Sequence, residues 1–329
     1  MSGKLKLLEK ILSKKNILIL EGGYNEEHEV SLSTAKEVKK AALELNHNLQ
    51  SILVDPINFF SKIKKFNIDI CFNALHGSFG EDGKIQQILF NNKIRFTHSG
   101  AKASGVAFDK FLTKKAIEKN GIKYLKSILI KKFELNENLL NNFYQKLGPL
   151  IIKPVSSGSS YGVQLIKSLE DIKFFFEIIS GNKKLYENHE KLMVEPYVYG
   201  KELTVAVLEE DGKSKAIEVP EIVSKNLFFD YQAKYTKGFS KHILPANIPN
   251  QVYQQCLDNA KIVHDILGCK GVSRSDFLYD EINKELYFLE INTQPGLTPI
   301  SLVPEQLNFH SIDFTTLIDK LIKSSSCQE

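Results

Sequence analysis

The sequence predicts an α/β protein, α+β in part, with a parallel sheet in its N-terminal third. In that third, short apolar runs alternate with helix-length segments, the pattern of a parallel sheet with crossover helices. Further along, strands pair around polar turns, which indicates antiparallel hairpins. A chain of 329 residues with 43% apolar residues is long enough for two or three domains with substantial cores.

The composition excludes several classes of protein. A net charge of +4 with 25% charged residues is ordinary, and no basic stripe interleaved with aromatic residues predicts a nucleic-acid surface. No apolar window is long enough to span a membrane, and residues 5–12, interrupted by Lys and Glu, predict a short amphipathic helix rather than a signal peptide. Widely spaced cysteines indicate reduced thiols in a cytosolic protein: Cys71, Cys256, Cys269 and Cys327.

The first elements are predicted as a strand over 16–20, a helix from Asn25 or Ser31 to about 45, strands over 51–55 and 68–75, a helix over 84–91 and a strand over 94–97. The glycine turn after the first strand favours anion contact at the helix N-terminus. Acidic residues around Glu27 there either stabilise the helix dipole or bind a ligand. His76 follows a strand and opens a glycine-rich loop, so it is either structural or functional.

The middle of the chain predicts a helix over 104–120, with Asp109 and Lys110 as a solvated pair on composition alone, and a domain boundary near residue 123. A strand over 125–130, a helix over 136–147 and a strand over 150–153 follow. The loop from Lys153 to Val163 contains two Gly and four Ser, whose N–H and hydroxyl donors suit a phosphate group. It is not a Walker loop, and the alternative is a flexible hairpin loop.

The C-terminal half predicts a strand over 192–196, a hairpin turning at Asp211-Gly212, an aromatic-rich lid over 227–249, and helices over 251–267 and 312–322. Between these helices, two alternating runs flank a polar turn and predict a β-hairpin. It would place Asp276 opposite Glu290, with Asn292 nearby. Like charges so close repel unless a cation lies between them, and hard oxygen ligands favour Mg²⁺.

Six motifs, in order along the chain, resemble those of the D-alanine–D-alanine ligases of the ATP-grasp superfamily. They are residues 22–32 (GGYNEEHEVSL), 75–83 (LHGSFGEDG), 107–110 (AFDK), 229–235 (FDYQAKY), 274–277 (RSDF) and 289–303 (LEINTQPGLTPISLV). The resemblance implies a three-domain ATP-grasp fold: a substrate-binding α/β domain over 1–122, a central lid domain over 123–198 and a catalytic domain over 199–329.

The family resemblance also implies the ligands and the residues that bind them. ATP is expected with Mg²⁺, as two ions, or with Mn²⁺ in its place. The implied ATP-binding residues are Lys110, Lys153, Ser160, Glu195, Val198 and Glu202, and the implied metal ligands are Asp276, Glu290 and Asn292. The implied catalytic residues are Glu27, Ser159, Tyr235, Arg274 and Gly296, and the implied substrate contacts are His76, Lys234, Ser301 and Leu302.

The activity that the resemblance implies is ATP-dependent joining of two D-alanines, through an acylphosphate, for peptidoglycan precursor synthesis. A homodimer is implied in the same way, while the cytoplasmic location and the lack of nucleic-acid and membrane partners are expected from the cysteines and the composition. Two positions depart from the family pattern: Ser157 replaces a Glu in the phosphate loop, and Ile300 replaces a polar residue beside Ser301. The open alternatives are another ATP-grasp carboxylate–amine ligase, for example with D-serine as second substrate, and a non-catalytic ATP-binding relative.

Overall fold

The structure, a computed structural model, describes residues 14–181, 186–187, 189–224 and 240–329. The amphipathic helix predicted over 5–12 lies outside these ranges. So do Lys234 and Tyr235 and most of the predicted lid. Among the residues described, no helix combines the length and the apolarity needed to cross a bilayer.

A four-stranded parallel sheet forms the N-terminal layer, in the order β2-β1-β3-β4, and confirms the predicted alternation. The strands are β1 (Asn16–Gly22), β2 (Asn48–Val54), β3 (Ile70–Asn73) and β4 (Arg95–Phe96). The two central strands, β1 and β3, are buried along nearly their whole length, as expected for a parallel sheet covered by helices; the edge strands β2 and β4 expose polar residues such as Gln50 and Arg95. The helices are α1 (His28–Glu44), α2 (Phe59–Ile63) and α3 (Lys84–Asn91).

The single helix predicted over 104–120 is wrong, because the chain breaks at Asp109. Two helices, α4 (Ala101–Phe108) and α5 (Lys110–Ile117), flank this residue, whose backbone is extended with φ −91° and ψ 102°. Asp109 caps α5 by accepting from Leu112 N at 2.8 Å, as N-cap carboxylates do. A short 3-10 turn, Glu118–Asn120, follows. The break turns Lys110 inward, so the pair is not a solvated surface feature.

An antiparallel sheet of order β5-β8-β6-β7 forms the central layer. Its strands are β5 (Ile128–Lys131), β6 (Leu150–Pro154), β7 (Gln164–Ile166) and β8 (Lys191–Pro196). The helices α6 (Glu137–Leu147) and α7 (Leu169–Gly181) and a 3-10 turn, Lys132–Glu134, belong to the same layer. The glycine- and serine-rich loop joins β6 to β7 with no helix between, as predicted, while α7 was not predicted.

The third layer is an antiparallel sheet in the order β12-β11-β9-β13-β14, with β10 on β9. Its strands are β9 (Lys201–Glu210), β10 (Lys213–Ala216), β11 (Glu221–Ser224), β12 (Ser240–Ile243), β13 (Val272–Asp280) and β14 (Glu285–Asn292). The hairpin at Asp211-Gly212 is confirmed: φ is 51° and 74° at the two residues, as a two-residue hairpin loop requires.

Three helices pack around the third sheet. They are α8 (Asn250–Leu267), α9 (Leu302–Phe309) and α10 (Phe314–Ser324), of which α8 and α10 match predicted helices within two residues and α9 was not predicted. One buried cluster contains Ile17 of the first sheet, Leu208 of the third and Leu321 of α10, so these two layers share a core. The predicted domain boundaries at 122 and 198 stay a prediction.

Candidate active site

The hairpin β13–β14 has the predicted register. Asp276 pairs with Glu290 and Arg274 pairs with Asn292, and a β-bulge follows Asp276. The Arg274 guanidinium donates two bonds to the Asp276 carboxylate, Nε to Oδ1 at 2.9 Å and Nη2 to Oδ2 at 2.8 Å. Thr204 of the neighbouring β9 donates to Oδ1 at 2.6 Å. A bidentate arginine orients this carboxylate rigidly.

The oxygen donors of this hairpin suit a hard divalent cation. Asp276 and Glu290 face each other as carboxylates, and the Asn292 amide oxygen, which accepts from Gln294 N at 2.7 Å, lies beside them in the ladder. Within the described ranges no three His, Cys, Asp or Glu side chains cluster as a metal site. Two carboxylates and an amide would fill only part of the oxygen shell of Mg²⁺, which leaves positions for phosphate and water, as Mg²⁺ sites commonly do.

The loop after β6 has the left-handed backbone conformations that let a ligand approach the main chain closely. Ser159, Ser160 and Gly162 have φ of 48°, 57° and 72°, a region in which successive N–H groups form concave anion sites. The Lys110 ammonium donates to Ser157 O at 2.7 Å and pairs with Glu290 Oε2 at 3.1 Å. Lys110 therefore ties the loop, at Ser157, to the hairpin β13–β14.

Glu195 lies at the centre of a buried charge cluster between α5, β6 and β8. Lys153 contacts its Oε2 at 2.8 Å, Ser127 Oγ donates to Oε1 at 2.6 Å, and Lys114 also donates to Oε1. Burial alone would raise the pKa of the Glu195 carboxyl, but Lys153 and Lys114 outweigh it and hold that pKa at about 2. Glu195 is thus an ionised acceptor at neutral pH.

A deep cleft runs between the central and third sheets. Polar and charged side chains of the phosphate loop and the hairpin line one part of it, and apolar side chains such as Phe277 and Leu278 line another. It contains every predicted ATP-binding residue and two of the three predicted metal ligands: Lys110, Lys153, Ser160, Glu195, Val198, Glu202, Asp276 and Glu290. The structure therefore brings these residues together around one elongated space.

A second, smaller and more polar cleft adjoins the first. Lys110, Ser157 and Glu290 line both. The predicted residues that meet in the second cleft are Glu27, His76, Ser159, Arg274, Asn292 and Gly296. They come from the N-terminal layer, the central loop and the C-terminal hairpin, which are far apart in the sequence.

Glu27 is buried at the N-cap of α1 and is enclosed by the loops of two layers. Ser159 Oγ donates to Glu27 Oε1, and Asn25 Oδ1 accepts from Glu27 N at 2.9 Å. A Cβ added at Gly77 or at Gly158 would lie 2.6 Å from Glu27 Oε2. Glycine at both positions therefore gives the loops room to close around this carboxylate.

His76 is held from both ring nitrogens. Nε2 lies 2.9 Å from Thr34 Oγ1, and Nδ1 lies 3.2 Å from Glu81 Oε1. The imidazole is buried, so these bonds fix its orientation in the wall of the second cleft. The glycine-rich loop after β3 thus carries a positioned histidine, which is held by Glu81 of the same loop.

Ser301 and Leu302 form the start of α9. The Ser301 hydroxyl accepts from Thr298 N at 3.0 Å and lies 2.8 Å from Thr298 Oγ1. A Cβ at Gly296 would be 2.9 Å from Ser301 Oγ, so the Gly296 segment and the start of α9 are in close contact. Ile300, beside them, is 52% exposed.

The sequence reasoning missed several polar residues that hold the site together. Gln294 donates to Leu75 O and accepts from Asn73 Nδ2 at 2.6 Å, which joins the third layer to the first. Gln306 of α9 accepts from Ala206 N in β9 at 2.8 Å. Gln294 lies inside the Asn-Thr-Gln-Pro-Gly motif, so the motif could have identified it. No local sequence pattern identifies Gln306.

Comparisons with known proteins agree with this geometry. Residues 116–323 match the family model described as "D-ala D-ala ligase C-terminus". A protein of Wolbachia pipientis subsp. Culex pipiens (strain wPip), named "D-alanine--D-alanine ligase", is 42% identical over 316 residues, which cover 96% of this chain and 95% of the relative.

Solved structures give the same result. The crystal structure of D-alanine–D-alanine ligase from Bacillus anthracis superposes with a TM-score of 0.78 at 29% identity, covering 94% of this chain and 97% of that one. A second structure from Bacillus anthracis, complexed with ATP, has a TM-score of 0.75 at 26% identity, with coverage of 94% and 97%. The chain belongs to the D-alanine–D-alanine ligase family and has its mixed α/β, ATP-grasp fold.

Proposed function

We propose that the chain joins two D-alanine molecules to D-alanyl-D-alanine at the expense of ATP, as a step in peptidoglycan precursor synthesis. The observation that carries the proposal is the junction of the two clefts at Lys110, Ser157 and Glu290. A nucleotide in the larger cleft would place its terminal phosphate at this junction. The smaller, polar cleft beside it has charged side chains suited to binding an amino acid. That arrangement suits transfer of a phosphoryl group to a carboxylate.

ATP lies in the larger cleft in this proposal. Glu195 accepts from the adenine amino group, Val198 offers backbone contacts, and Glu202 accepts from the ribose hydroxyls. Lys110 and Lys153 contact the phosphates, as do the N–H and hydroxyl donors around Ser160. Phosphoryl transfer needs positioning and neutralisation of charge more than covalent assistance, and these lysines supply both.

Asp276, Glu290 and Asn292 would hold Mg²⁺, and the donor set fits that ion. When bound, it would neutralise the charge on the phosphates. Arg274 keeps Asp276 oriented through two hydrogen bonds, and Lys110 pairs with Glu290. These contacts support a site in which each carboxylate has a fixed direction.

The first D-alanine occupies the smaller cleft. Glu27 binds its ammonium group, Ser159 orients Glu27, and His76 lies beside the substrate. Its carboxylate oxygen attacks the γ-phosphorus of ATP; the bond to the β,γ-bridging oxygen breaks, which gives ADP and D-alanyl phosphate. The proposal is supported by the burial of Glu27, since an ammonium ion compensates a buried carboxylate.

The second D-alanine then attacks the activated carbonyl with its free amine. A tetrahedral intermediate forms with a negative oxygen, which the Arg274 guanidinium and the Gly296 N–H stabilise. The carbon–oxygen bond to phosphate breaks, the amine loses a proton, and phosphate leaves with the dipeptide formed. Ser301 and the N-terminal N–H of α9 at Leu302 bind the carboxylate of the second substrate, since a helix N-terminus favours anions.

Lys234 and Tyr235 keep the roles implied by the family resemblance, closing the site and favouring an amine as second substrate. The partly exposed Ile300 is the observation that favours a second candidate, D-alanyl-D-serine synthesis, because an apolar residue there changes the contacts of the second side chain. A cytoplasmic homodimer and domain boundaries at 122 and 198 are part of the proposal. Reduced cysteines are consistent with the cytoplasm, and in the part of the chain that is described all are free.

The test is phosphate release from ATP and Mg²⁺ with a panel of D- and L-amino acids, followed by mass spectrometry of the products. D-alanine alone is expected to stimulate release and to yield the dipeptide. Stimulation only by another acid–amine pair would show a different ATP-grasp ligase. Silence with every amino acid, despite ATP binding, would contradict catalysis altogether.

A further inference from the structure

Two lysines from different elements reach the Glu195 carboxylate. Lys153, in β6, lines the nucleotide cleft and contacts Oε2 at 2.8 Å. Lys114, in α5, donates to Oε1, which also accepts from Ser127 Oγ at 2.6 Å. The Lys114 ammonium makes a further bond to Leu125 O at 3.0 Å. Two donors fill the acceptor positions of Oε1, whereas Oε2 keeps room for another.

The cluster is almost entirely closed to solvent. Glu195 is 1% exposed and Lys114 is 2% exposed. Burial lowers the pKa of Lys114 to about 8, against the opposing effect of Glu195, so the ammonium is mostly charged at neutral pH. An ionised carboxylate that is paired in this way only accepts hydrogen bonds and cannot donate one.

We infer that Lys114 is a positioning residue that sets the choice of nucleobase through Glu195. The inference rests on the proposed function, in which Glu195 lies beside the base of ATP. Lys114 and Ser127 occupy Oε1, so Oε2 is the oxygen with an acceptor position left for the base. Oε2 accepts from the exocyclic amino group of adenine and repels the carbonyl oxygen that hypoxanthine and guanine carry at that position.

The neighbouring residue provides a matched control. Lys115 lies on the same helix, is 56% exposed, and pairs with Glu118 at 3.5 Å. Lys115→Met therefore removes the same charge from α5 without touching Glu195. A lysine that served stability alone would affect folding and leave the preference for ATP unchanged.

The experiment compares ATP with ITP, which replaces the adenine amino group by a carbonyl oxygen. For each variant, kcat/KM with saturating D-alanine and the nucleotide Kd from calorimetry give the ATP-over-ITP ratio. Lys114→Met is expected to lower that ratio about tenfold, mainly by raising the KM for ATP. A tenfold change corresponds to about 1.4 kcal/mol. Lys114→Arg should retain most of the preference, and Lys115→Met should retain all of it.

Two further variants show whether Lys114 acts through the carboxylate. Ser127→Ala removes the other donor to Oε1 and should lower the ratio in the same direction by a smaller factor. In a Glu195→Gln background, Lys114→Met should change the ratio no further, because interacting residues are not additive. Thermal unfolding of each variant separates loss of fold from loss of preference.

A ratio within twofold of wild type in folded Lys114→Met would overturn the inference. The inference would also be overturned if Lys114→Met lowered the ATP-over-ITP ratio as much in the Glu195→Gln background as in the wild-type chain. If the unaltered chain binds ATP but forms no dipeptide, the proposed function fails, and the calorimetric ratio still decides the role of Lys114.

Discussion

Gly158→Ala should damage the first-substrate site by steric contact alone. The added Cβ would lie 2.6 Å from Glu27 Oε2 and 3.4 Å from its Cδ. Glycine at 158 does not have a left-handed φ, so the substitution adds no backbone strain. To reach even 3.0 Å, the shortest separation that real Cβ atoms show, the carboxylate or the loop must move by 0.4 Å (3.0 minus 2.6).

Neither partner can move freely. Glu27 is buried and bonded to Ser159, while Lys110 holds the loop at Ser157. A misplacement of about 1 Å at a reacting centre costs about 10²-fold in rate. A shift of roughly half that size is therefore expected to lower kcat/KM for D-alanine by about tenfold. The Kd for ATP should change much less, since Glu27 lines only the smaller cleft.

The assay is coupled ADP release at varied D-alanine, with calorimetry for ATP and thermal unfolding as a check on the fold. Gly181→Ala is the control, because nothing lies within 4 Å of a Cβ there and alanine is favoured at helical positions. If folded Gly158→Ala keeps kcat/KM for D-alanine within twofold of wild type, the assignment of Glu27 to the first substrate is refuted.

Other expected outcomes follow from single contacts. Arg274→Ala should lower kcat by about 10²–10³-fold while ATP binding by calorimetry is largely retained; near-normal dipeptide formation would contradict its role. Asp276→Asn should raise the Mg²⁺ concentration needed both for activity and for the Mg²⁺-induced rise in Tm, and unchanged titrations would exclude it as a ligand. Gln306→Leu leaves Ala206 N without its acceptor, so chemical denaturation should show a loss of about 1–3 kcal/mol. Glu195→Gln leaves two buried lysines unpaired and should cost about 3–5 kcal/mol near neutral pH. Because the folded-state pKa of Glu195 is about 2, below its ordinary 4.5, the stabilisation is present above pH 4.5 and is lost as the pH falls toward 2. The difference between wild type and variant in denaturation should therefore shrink over that range, and a constant difference would contradict the ion pair.

Local patterns predicted the parts of the fold whose geometry is local. A four-residue turn brings β13 and β14 together, so Asp276 could be placed near Glu290 from the sequence. Counting from the turn alone would pair Asp276 with Leu289, and the β-bulge after Asp276 shifts the pairing to Glu290. The helix over 84–91 and the glycine loop between β6 and β7 were likewise recognisable, because periodicity and turn residues specify them.

Other parts depend on contacts between distant segments. The break at Asp109 accompanies a backbone bridge to Ser156, and the one local sign of it is Asp109 itself, a residue type preferred at helix N-caps. The helix α9 was missed because Pro304 stands in its first turn, where proline is tolerated, and because Gln306 anchors it to a strand about 100 residues earlier.

The residues of the functional site also fall into those that local sequence identifies and those that only the structure identifies. Family motifs identified the residues that line the two clefts, since each motif is contiguous. Lys114 gave no such signal, because in sequence it is one of two adjacent lysines. Only its contacts with Leu125, Ser127 and Glu195 enclose it, while Lys115 is exposed. Tertiary structure alone distinguishes the two.

The central claim is that ATP activates a carboxylate as an acylphosphate. The most direct measurement uses D-alanine with heavy oxygen in its carboxylate and examines the released phosphate by mass spectrometry. The mechanism predicts one heavy oxygen in each phosphate and three in the dipeptide, one in the peptide carbonyl and two in the C-terminal carboxylate, because the bridging oxygen leaves with phosphorus. Unlabelled phosphate, or label in AMP, would contradict it.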